Sequence, residues 1–286
     1  MSRIAYVNGR YLRFRDATVH VEDRGYQFAD SVYEVCEVRG GRLIDERPHL
    51  DRLQRSLDAL RIRRPMSRAA LSVILREVVA RNRIGYGIIY LQISRGVARR
   101  EHAFPSPEVS PGMVVTARRL DMGRNEALAA AGIAVVSVPD IRWGRVDIKT
   151  VGLLANVLAR QDAIERGARD AWLVDGDGFV REATSANAWI VTAGGALVTR
   201  HADHAILRGI TRTVLFEVIK AQEGLRVEER AFTLDEAFAA REAFITSASQ
   251  IVLPVVRIDG CPIGDGKPGP LAAALRRQFH RHAEAG

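Results

Sequence analysis

Two predicted β-hairpins at the start of this 286-residue chain restrict its fold more than any other feature. In the first, IAYV and YLRF flank Asn8-Gly9, and both turn residues tolerate the positive φ that a tight hairpin turn requires. In the second, SVYEVCEV alternates apolar and polar residues, turns at Gly40-Gly41 and returns through RLIDE. The N-terminal part of the chain is therefore predicted to contain antiparallel strands.

Helical periodicity follows the hairpins. One helix begins near Pro48 with its leucines on a single stripe, and another begins after Ser67, a favourable N-cap residue. The strands YGIIYLQIS and GMVVTA then complete a mixed α+β unit, and the polar segment after them predicts a linker over residues 119–125. We predict an N-terminal domain over residues 1–118 and a C-terminal domain over residues 126–286.

Strands and helices alternate in the second half of the chain. A helix after Lys149 ends at Gly167, a residue typical of the position that follows a helix. The apolar residues of this helix recur at helical spacing: Leu153, Leu154, Val157, Leu158 and Ile164. A later helix is capped by Thr233, and Glu236 three residues on predicts a capping box. The whole chain therefore belongs to a mixed α/β class by its pattern.

The net charge of +8 would favour nucleic acid as a partner, because Lys and Arg make the contacts to phosphate. The arginines, however, are spread along the chain among 34 acidic residues. The one local cluster, RIRRP, lacks interleaved aromatic residues, so we expect no nucleic-acid partner. Attraction to small anionic molecules accounts for the charge equally well.

Composition also bears on location. No apolar run approaches the roughly 18 to 20 residues that span a bilayer, and the opening segment lacks the apolar core of a signal peptide. Cys36 and Cys261 lie far apart in the sequence and outside any metal-ligand spacing. We therefore expect reduced thiols, a cytoplasmic protein, no membrane partner and no metal site.

Lysine is almost absent, which makes each lysine informative. Among 42 Lys and Arg residues, only Lys149, Lys220 and Lys267 are lysines. Arginine stays protonated and cannot act as an amine nucleophile. Lys149 lies in the apolar stretch VDIKTVGLL, so we predict a half-buried amine that can form a Schiff base with a carbonyl. The alternative is a lysine whose stem covers apolar surface and whose amine reaches water.

Three short turns with hydroxyl groups lie in the same half of the chain as Lys149. LRGITR at 207–212 places Thr211 at the start of a helix, where unpaired N–H groups can hold a phosphate. EATSAN at 182–187 and ITSAS at 245–249 follow strands. Each turn alone is typical of a helix cap or a β-turn. Together they indicate a phosphate-bearing cofactor bound beside an amine.

Seven segments carry a resemblance to a known family: EDRGYQFADSVYEV, HLDRL, RGVARREHAFP, DIRWGRVDIKT, EATSAN, LRGITR and ITSAS. Over nearly its full length the chain resembles the class IV, fold-type IV aminotransferases, which use pyridoxal 5′-phosphate (PLP). Within them it most closely resembles the D-amino-acid aminotransferases. The resemblance implies an α/β fold of two domains, a smaller N-terminal one and a larger C-terminal one, with the cofactor between them.

The resemblance implies a cofactor role for several residues of this chain. Lys149 would be the Schiff-base lysine and proton shuttle, Glu182 would lie beneath the pyridine nitrogen, and Leu207 would pack on the ring. Further cofactor contacts, around the phosphate, fall to Arg52, Ile210, Thr211, Ser247 and Ser249. Ala248, in the same phosphate-binding turn, stands where the D-amino-acid enzymes usually carry a hydroxyl, so we expect weaker cofactor retention.

The helical pattern alone predicts a different place for Arg52. At 100° per residue, this side chain lies about 120° from the centre of the leucine stripe of its helix, so it would point to solvent. The pattern and the resemblance therefore disagree about Arg52.

The resemblance also implies a substrate site. It is formed by Tyr33, Val35, Arg100 and His102. Arg100 and His102 would reach the substrate carboxylate from the partner subunit of a homodimer, and an arginine fork suits a carboxylate. The implied activity is that of a D-amino-acid transaminase, of the type that converts D-alanine and 2-oxoglutarate to pyruvate and D-glutamate. Alternatives with this fold are a branched-chain L-amino-acid aminotransferase, an (R)-amine transaminase and an aminodeoxychorismate lyase. An alternative of another class is a non-catalytic protein that binds anions or nucleic acid.

Overall fold

The computed structural model describes residues 3–222 and 224–285, and side chains as far as residue 282. Within these residues, no helix is long and apolar enough to cross a membrane. The chain forms two compact units: Met1–Asp121 with Ile148–Gly152, and Met122–Asp147 with Leu153–Gly286.

The first unit is built on an antiparallel sheet. Its elements, in chain order, are β1 (Ile4–Val7), β2 (Arg10–Arg13), a 3-10 turn (Phe14–Asp16), α1 (Arg24–Phe28), β3 (Ser31–Arg39), β4 (Arg42–Leu43), α2 (Glu46–Leu60), α3 (Arg68–Arg81), β5 (Tyr86–Ser94) and β6 (Gly112–Arg119). In the described part of this unit, six strands follow the order β2-β1-β6-β5-β3-β4. Every neighbouring pair is antiparallel.

Both predicted hairpins are present. The β1–β2 pair turns at Asn8, with φ 45°, and Gly9, with φ 92°, which are the left-handed conformations that this turn requires. The second hairpin turns at Gly40 and Gly41, and its return strand is limited to Arg42–Leu43.

Helices α2 and α3 contribute side chains to the hydrophobic core of this unit. Leu57 of α2 and Leu75 of α3 are each 1% exposed and share that core with Ile89 of β5. Burying a leucine side chain stabilises a fold by about 1.5–3 kcal/mol. The predicted N-cap of α3 is confirmed, because the Ser67 side chain accepts a hydrogen bond from the Ala70 N–H.

The second unit combines a mixed sheet with helices. Its elements are α4 (Met122–Ala131), β7 (Ile133–Pro139), α5 (Leu154–Glu165), β8 (Asp170–Val174), β9 (Val180–Ala183), β10 (Asn187–Val191), β11 (Leu197–Thr199), α6 (Ile210–Lys220), β12 (Val227–Glu229), α7 (Leu234–Phe238), β13 (Glu242–Ser247), β14 (Ile251–Ile258), β15 (Cys261–Pro262) and α8 (Pro270–Ala285). In the described residues the sheet order is β12-β11-β10-β13-β14-β7-β8-β9, and β15 pairs with β14. β7 runs parallel to both β8 and β14.

Two predicted helix ends in this unit are confirmed. Gly167 follows α5 with φ 75°, and Thr233 and Glu236 form a reciprocal capping box at the start of α7. Trp172 and Trp189 are fully buried at 0% exposure. Helices and strands in both units confirm the mixed α/β class.

The structure differs from the sequence predictions in two places. The apolar residues of α5 lie largely on the surface of the second unit, with Leu154 72%, Val157 59%, Leu158 54% and Ile164 55% exposed. Helix α4 begins inside the predicted linker over residues 119–125, and Ile148–Gly152 groups with the first unit. The division into functional domains stays a prediction.

Candidate active site

Lys149 lies in a short segment that pairs with β3 in the first unit. Thr150, its neighbour, forms an isolated antiparallel bridge with Val32. The Lys149 carbonyl accepts the Tyr33 N–H at 3.0 Å, and the Lys149 N–H donates to Ser56 Oγ at 3.3 Å. The backbone of Lys149 is therefore held on both sides, while its side chain is half-buried, as predicted.

Tyr33 places an aromatic face beside the Lys149 amine. Lys149 Nζ lies 4.2 Å from the centroid of the Tyr33 ring, within the range of a cation–π contact. Tyr33 stacks on Tyr90 of β5, with centroids 5.6 Å apart. Burial, with the neighbouring Tyr33, raises the pKa of Tyr90 to about 12. Val35, two residues along β3, projects from the same face of the sheet as Tyr33 and is half-buried.

A buried ion pair involves Glu34, between Tyr33 and Val35. Arg52 of α2 contacts Glu34 in a bidentate manner, with Nε–Oε1 at 2.8 Å and Nη2–Oε2 at 2.7 Å. His49 Nδ1, three residues before Arg52 on α2, lies 2.8 Å from Glu34 Oε2. Arg52 is only 5% exposed. The prediction from the helical pattern, a solvated Arg52, is therefore wrong.

Charge and burial together set the protonation of this cluster. Burial alone would raise the pKa of Glu34, but the charge and hydrogen bonds of Arg52 and the bond from His49 lower it to about 2. Burial disfavours the charged form of Arg52, yet Glu34 outweighs it and raises the pKa of Arg52. Burial lowers the pKa of His49 despite the contact with Glu34. The result is a permanently charged guanidinium in a fixed orientation, which suits phosphate binding.

Arg100 and His102 lie on the loop between β5 and β6, and both are exposed. The Arg100 guanidinium carbon lies 5.2 Å from the centroid of the Phe28 ring, and the His102 ring centroid lies 5.5 Å from the same point. Phe28 thus brings these two predicted substrate residues together. Tyr33 and Lys149 form a second group of predicted site residues in the first unit.

In the second unit, Glu182 of β9 accepts hydrogen bonds from three residues. Asn187 Nδ2 donates to Oε2 at 2.9 Å, and Arg142 Nη1 donates to Oε1 at 2.5 Å. The Leu207 N–H lies 3.2 Å from Oε1 and 3.3 Å from Oε2. Glu182 is 4% exposed, and charge-assisted bonds of this kind hold a carboxylate in its ionised form.

Arg142 links Glu182 to a second carboxylate. Its Nε and Nη2 atoms donate to the two oxygens of Asp140 at 2.9 and 2.8 Å. The side chains of Arg142 and Asp140 are 6% and 1% exposed. Burial would lower the pKa of Arg142, but Asp140 and Glu182 outweigh it and raise that pKa. The arginine therefore stays charged between its two acidic partners.

Helix α6 begins beside Glu182. Asn187, which contacts Glu182, also donates to the Leu207 carbonyl at 2.8 Å. A Cβ atom on the N-cap residue Gly209 would lie 2.1 Å from Asn187 Oδ1, so a side chain cannot be added there without displacing Asn187. Thr211, at 4% exposure, lies in the first turn of α6, where backbone N–H groups lack helical acceptors.

Ser247 and Ser249 lie elsewhere in the second unit. They line a cavity of about 450 Å³, whose wall includes Arg160. Ala248 lies between them in the turn after β13 and is half-buried. The predicted phosphate contacts of this unit therefore fall into two groups, this turn and the start of α6.

Comparison with known proteins identifies the family. The chain matches the family Amino-transferase class IV over residues 31–258. It is 40% identical over 274 residues to the D-alanine aminotransferase of Listeria innocua, which covers 96% of this chain and 93% of the relative. It is 36% identical over 280 residues to the D-alanine aminotransferase of Staphylococcus haemolyticus, which covers 98% of each chain. The chain belongs to the class IV aminotransferases.

Solved structures confirm the fold-type IV architecture predicted for this class IV aminotransferase. A T.th. branched-chain amino acid aminotransferase, solved with pyridoxamine 5′-phosphate, matches with a TM-score of 0.89 and 25% identity, over 99% of this chain and 94% of that chain. The branched-chain amino acid aminotransferase of Escherichia coli matches with a TM-score of 0.89 and 23% identity, over 98% and 94%. The second likeness concerns the fold alone.

Sequence reasoning missed the residues that hold the predicted ones in this class IV aminotransferase. Glu34 and His49 fix Arg52, and Arg142 fixes Glu182. One local signal was available for Arg142. It lies two positions after Asp140, directly after a predicted strand, and charged side chains that become buried need partners of opposite charge. Nothing in the local sequence joins Glu34 to α2, since the pairing depends on tertiary packing.

Proposed function

We propose that this class IV aminotransferase transfers amino groups between D-amino acids and 2-oxo acids with PLP as cofactor. The observation that carries the proposal is the half-buried Lys149 amine beside the Tyr33 ring. The 36–40% identity with D-alanine aminotransferases over nearly the whole chain supports D-amino acids as substrates. The T.th. structural neighbour was solved with pyridoxamine 5′-phosphate, the aminated form of the same cofactor, which supports PLP here.

The described residues fit PLP chemically. Arg52 is a buried, fixed cation for the phosphate, and Thr211 adds a hydroxyl in the first turn of a helix. Glu182 is a fixed anion for the pyridine nitrogen, and Lys149 is the amine. The remaining proposed cofactor contacts are made by Leu207, Ile210, Ser247, Ala248 and Ser249. When bound, PLP supplies an aldehyde carbon that bonds to amines and a ring that accepts electrons from the substrate Cα.

The residues of this chain then control protons and orientation. Glu182, held by Arg142, would stabilise a proton on the pyridine nitrogen of the bound cofactor and thereby strengthen the ring as an electron acceptor. Lys149 Nζ would take the proton from the substrate Cα and deliver it to the former aldehyde carbon on the other side of the amine nitrogen, which is a 1,3-shift. The fixed backbone of Lys149 limits where that amine can reach.

We further propose that the substrate carboxylate is bound by Tyr33, Arg100 and His102, with Val35 beside them. Arg100 offers a planar fork that matches a carboxylate. In this proposal Arg100 and His102 serve the active site of the partner subunit, so that the homodimer is the active form. The protein would act in the cytoplasm, and the free Cys36 and the free, exposed Cys261 support a reducing location.

The exposed apolar face of α5 supports the homodimer. Leu154, Val157 and Leu158 are more than half exposed in the single chain, and exposed apolar patches of this kind mark interaction sites. Leu158→Glu should therefore shift the protein towards the monomer in analytical ultracentrifugation. Val73→Glu is the matched control, because Val73 is 65% exposed on α3. Equal sedimentation of both variants would contradict the role of α5.

Mixing two inactive variants tests the sharing of the site. Lys149→Ala and Arg100→Ala should each be nearly inactive with D-alanine. When the two are unfolded and refolded together, mixed dimers regain one intact site, so about a quarter of all sites should recover. If Arg100 serves the site of its own subunit, mixing restores nothing. The controls for Lys149→Ala are Lys220→Ala and Lys267→Ala, which change lysines outside the proposed site and should stay active.

The first experiment for the activity itself is spectroscopic. D-alanine should bleach the visible absorption of the PLP-loaded protein, whereas L-leucine should not. Bleaching by L-leucine alone would favour a branched-chain L-amino-acid aminotransferase, which the likeness to the T.th. enzyme leaves as the second candidate. A protein that stays colourless after addition of PLP would contradict the proposal.

A further inference from the structure

Two arginines and a carboxylate tie the Arg100 loop to the segment before β3. Arg24 is 3% exposed and Arg95 is 6% exposed, although both are charged. Arg24 Nε donates to Asp30 Oδ2 at 2.8 Å. Arg95 donates to the same carboxylate through Nε at 2.7 Å and Nη2 at 2.9 Å. Asp30 therefore accepts three charge-assisted hydrogen bonds, which are roughly twice as strong as neutral ones.

The other ends of the two guanidinium groups reach backbone carbonyls. Arg24 Nη1 donates to the Glu101 carbonyl at 2.5 Å, and Arg24 Nη2 donates to the His102 carbonyl at 3.4 Å. Arg95 donates to the carbonyls of Leu60 and Arg61 at 2.8 and 2.9 Å. Arg24 thus holds the backbone of the two residues that follow Arg100, and the second of them, His102, is itself a proposed ligand of the substrate carboxylate.

Phe28 contacts the exposed side chains of Arg100 and His102, whereas Arg24 bonds to the backbone of their loop. Its ring centroid lies 4.9 Å from the Arg24 guanidinium carbon and 5.2 Å from that of Arg100. The His102 ring lies 5.5 Å away on the same aromatic group. A ring face attracts a guanidinium by roughly 0.5–1 kcal/mol at an exposed site. One half-buried ring therefore contacts both proposed carboxylate ligands and the buried arginine beneath them.

Burial and pairing keep the charges of this cluster fixed. Burial alone would raise the pKa of Asp30, but hydrogen bonds from Arg95 and Arg24 outweigh it and lower that pKa. The carboxylate therefore stays ionised well below neutral pH. The anchor of these contacts with the loop therefore keeps its negative charge at neutral pH.

We infer that Arg24 and Phe28 are positioning residues for the carboxylate-binding pair Arg100 and His102, with Asp30 as their anchor. They act through the loop and touch neither substrate nor cofactor. The inference rests on the proposed function, because Arg100 and His102 are carboxylate ligands only under that proposal. Its consequence is that the enzyme's preference for carboxylated donors depends on residues buried beneath the loop.

The experiment uses the PLP-loaded protein and two probes that separate the carboxylate from the amine. Propionate is D-alanine without its amino group, and ethylamine is D-alanine without its carboxylate. The dissociation constant of propionate is measured from its effect on the visible spectrum, and the reaction with ethylamine from the rate of bleaching. Propionate thus reports carboxylate binding without any chemical step.

Arg24→Lys should weaken propionate binding about tenfold, because lysine cannot bond Asp30 and two carbonyls at once. Phe28→Leu, which keeps an apolar side chain, should weaken it by a smaller factor, and Phe28→Tyr should restore it. Ethylamine should react with these variants at the native rate. Arg81→Lys is the matched control, because Arg81 also pairs with a carboxylate and an aromatic ring but lies on α3.

Arg100→Ala distinguishes the inference from the proposal beneath it. If Arg100→Ala weakens propionate binding while Arg24→Lys and Phe28→Leu do not, the positioning inference is wrong and the proposed carboxylate site stands. If Arg100→Ala leaves propionate binding unchanged, the proposed site is wrong and the inference falls with it. Should Arg24→Lys fail to fold, as shown by its thermal unfolding, Phe28→Leu and its tyrosine rescue decide the matter. Equal loss with propionate and ethylamine would also overturn the inference, because it would indicate a general structural role.

Discussion

Each unit of the molecule contains a buried arginine–carboxylate cluster that includes a proposed cofactor ligand, and in these two clusters the charge of that ligand is opposite. In the first unit the cation Arg52 is the proposed cofactor ligand, and Glu34 holds it. In the second unit the anion Glu182 is the proposed ligand, and Arg142 holds it. A phosphate requires a fixed cation, whereas a protonated ring nitrogen requires a fixed anion.

The clusters also differ in the third residue. His49 stands beside Glu34 with a lowered pKa, so the three residues of the first cluster are electrically neutral together. Asp140 stands beside Arg142 as a second carboxylate, so the buried groups Glu182, Asp140 and Arg142 together carry an excess negative charge. The half-buried Arg181 lies 3.3 Å from Asp140 but is shared with Asp175 at 3.4 Å. A buried excess charge is tolerated where a ligand of opposite charge offsets it. We therefore expect a bound cofactor to stabilise the second cluster more than it stabilises the first cluster.

The largest expected effect comes from the same substitution made in both clusters. Glu34→Gln removes the charge and one of the two acceptor oxygens that face Arg52, and it should lower the free energy of unfolding by about 3–5 kcal/mol. Glu182→Gln should cost only about 1–2 kcal/mol, because Arg142 keeps its bidentate contact with Asp140. Urea unfolding without added cofactor measures both. If Glu182→Gln lowers the free energy of unfolding as much as Glu34→Gln does, the proposed difference between the two clusters is wrong.

Acid should weaken the first cluster over a defined range. The pKa of Glu34 falls from 4.5 to about 2 on folding, so its contribution is complete above pH 4.5 and is lost as the pH falls towards 2. A shift of this size corresponds to about 3 kcal/mol. The difference in unfolding free energy between native protein and Glu34→Gln should therefore shrink on acidification. A difference that stays constant with pH would contradict the buried ion pair.

His49 should give a smaller effect nearer neutral pH. Its pKa lies below 6.5 in the folded chain, because burial outweighs Glu34. The unfolded chain therefore takes up a proton first as the pH falls through 6.5, and stability declines by up to about 1.4 kcal/mol per pH unit. His49→Gln should flatten this decline in urea unfolding. His201→Gln is the control at an exposed site, and equal slopes in both variants would exclude His49 as the cause.

The smallest effect concerns the turn at Ala248. Ala248→Ser restores a hydroxyl where the resemblance implies a phosphate contact. If Arg52 supplies most of the phosphate binding, one neutral hydrogen bond should slow PLP loss during dialysis by a factor of about 2 to 10. PLP remaining on the protein is followed by its visible absorption. An unchanged half-time would indicate that this turn lies outside the phosphate site.

Local rules predicted the parts of the fold that depend on neighbouring residues. The Asn8-Gly9 turn, the Ser67 cap and the Thr233–Glu236 capping box each involve a few residues in sequence, and each is present. The same reasoning placed Arg52 in solvent, because a helical wheel counts apolar residues and ignores a carboxylate on a strand 18 positions away. Only the resemblance indicated that Arg52 is functional.

Residue frequency explains why the sequence predicted Lys149 but not Arg142, the arginine that holds Glu182. Lys149 is conspicuous because lysine is rare in this chain. Arg142 is one arginine among many, and its contact with Glu182 spans 40 positions. The spacing of its apolar residues predicts that α5 has one apolar face, but spacing alone does not indicate whether this face packs against the same chain or against another chain.

The position of Ile148–Gly152 in the sequence determines when the first unit can be completed during translation. This segment belongs to the first unit, yet it is translated after Met122–Asp147, which belongs to the second. Ile148 fills part of the first unit's core and Thr150 bridges Val32, so neither contact exists until the ribosome has passed residue 152. A nascent chain released at Asp121 would lack both, along with the amine on which the proposed chemistry depends. The synthesis of Ile148–Gly152 therefore completes the first unit and adds the proposed Schiff-base lysine to it at the same time.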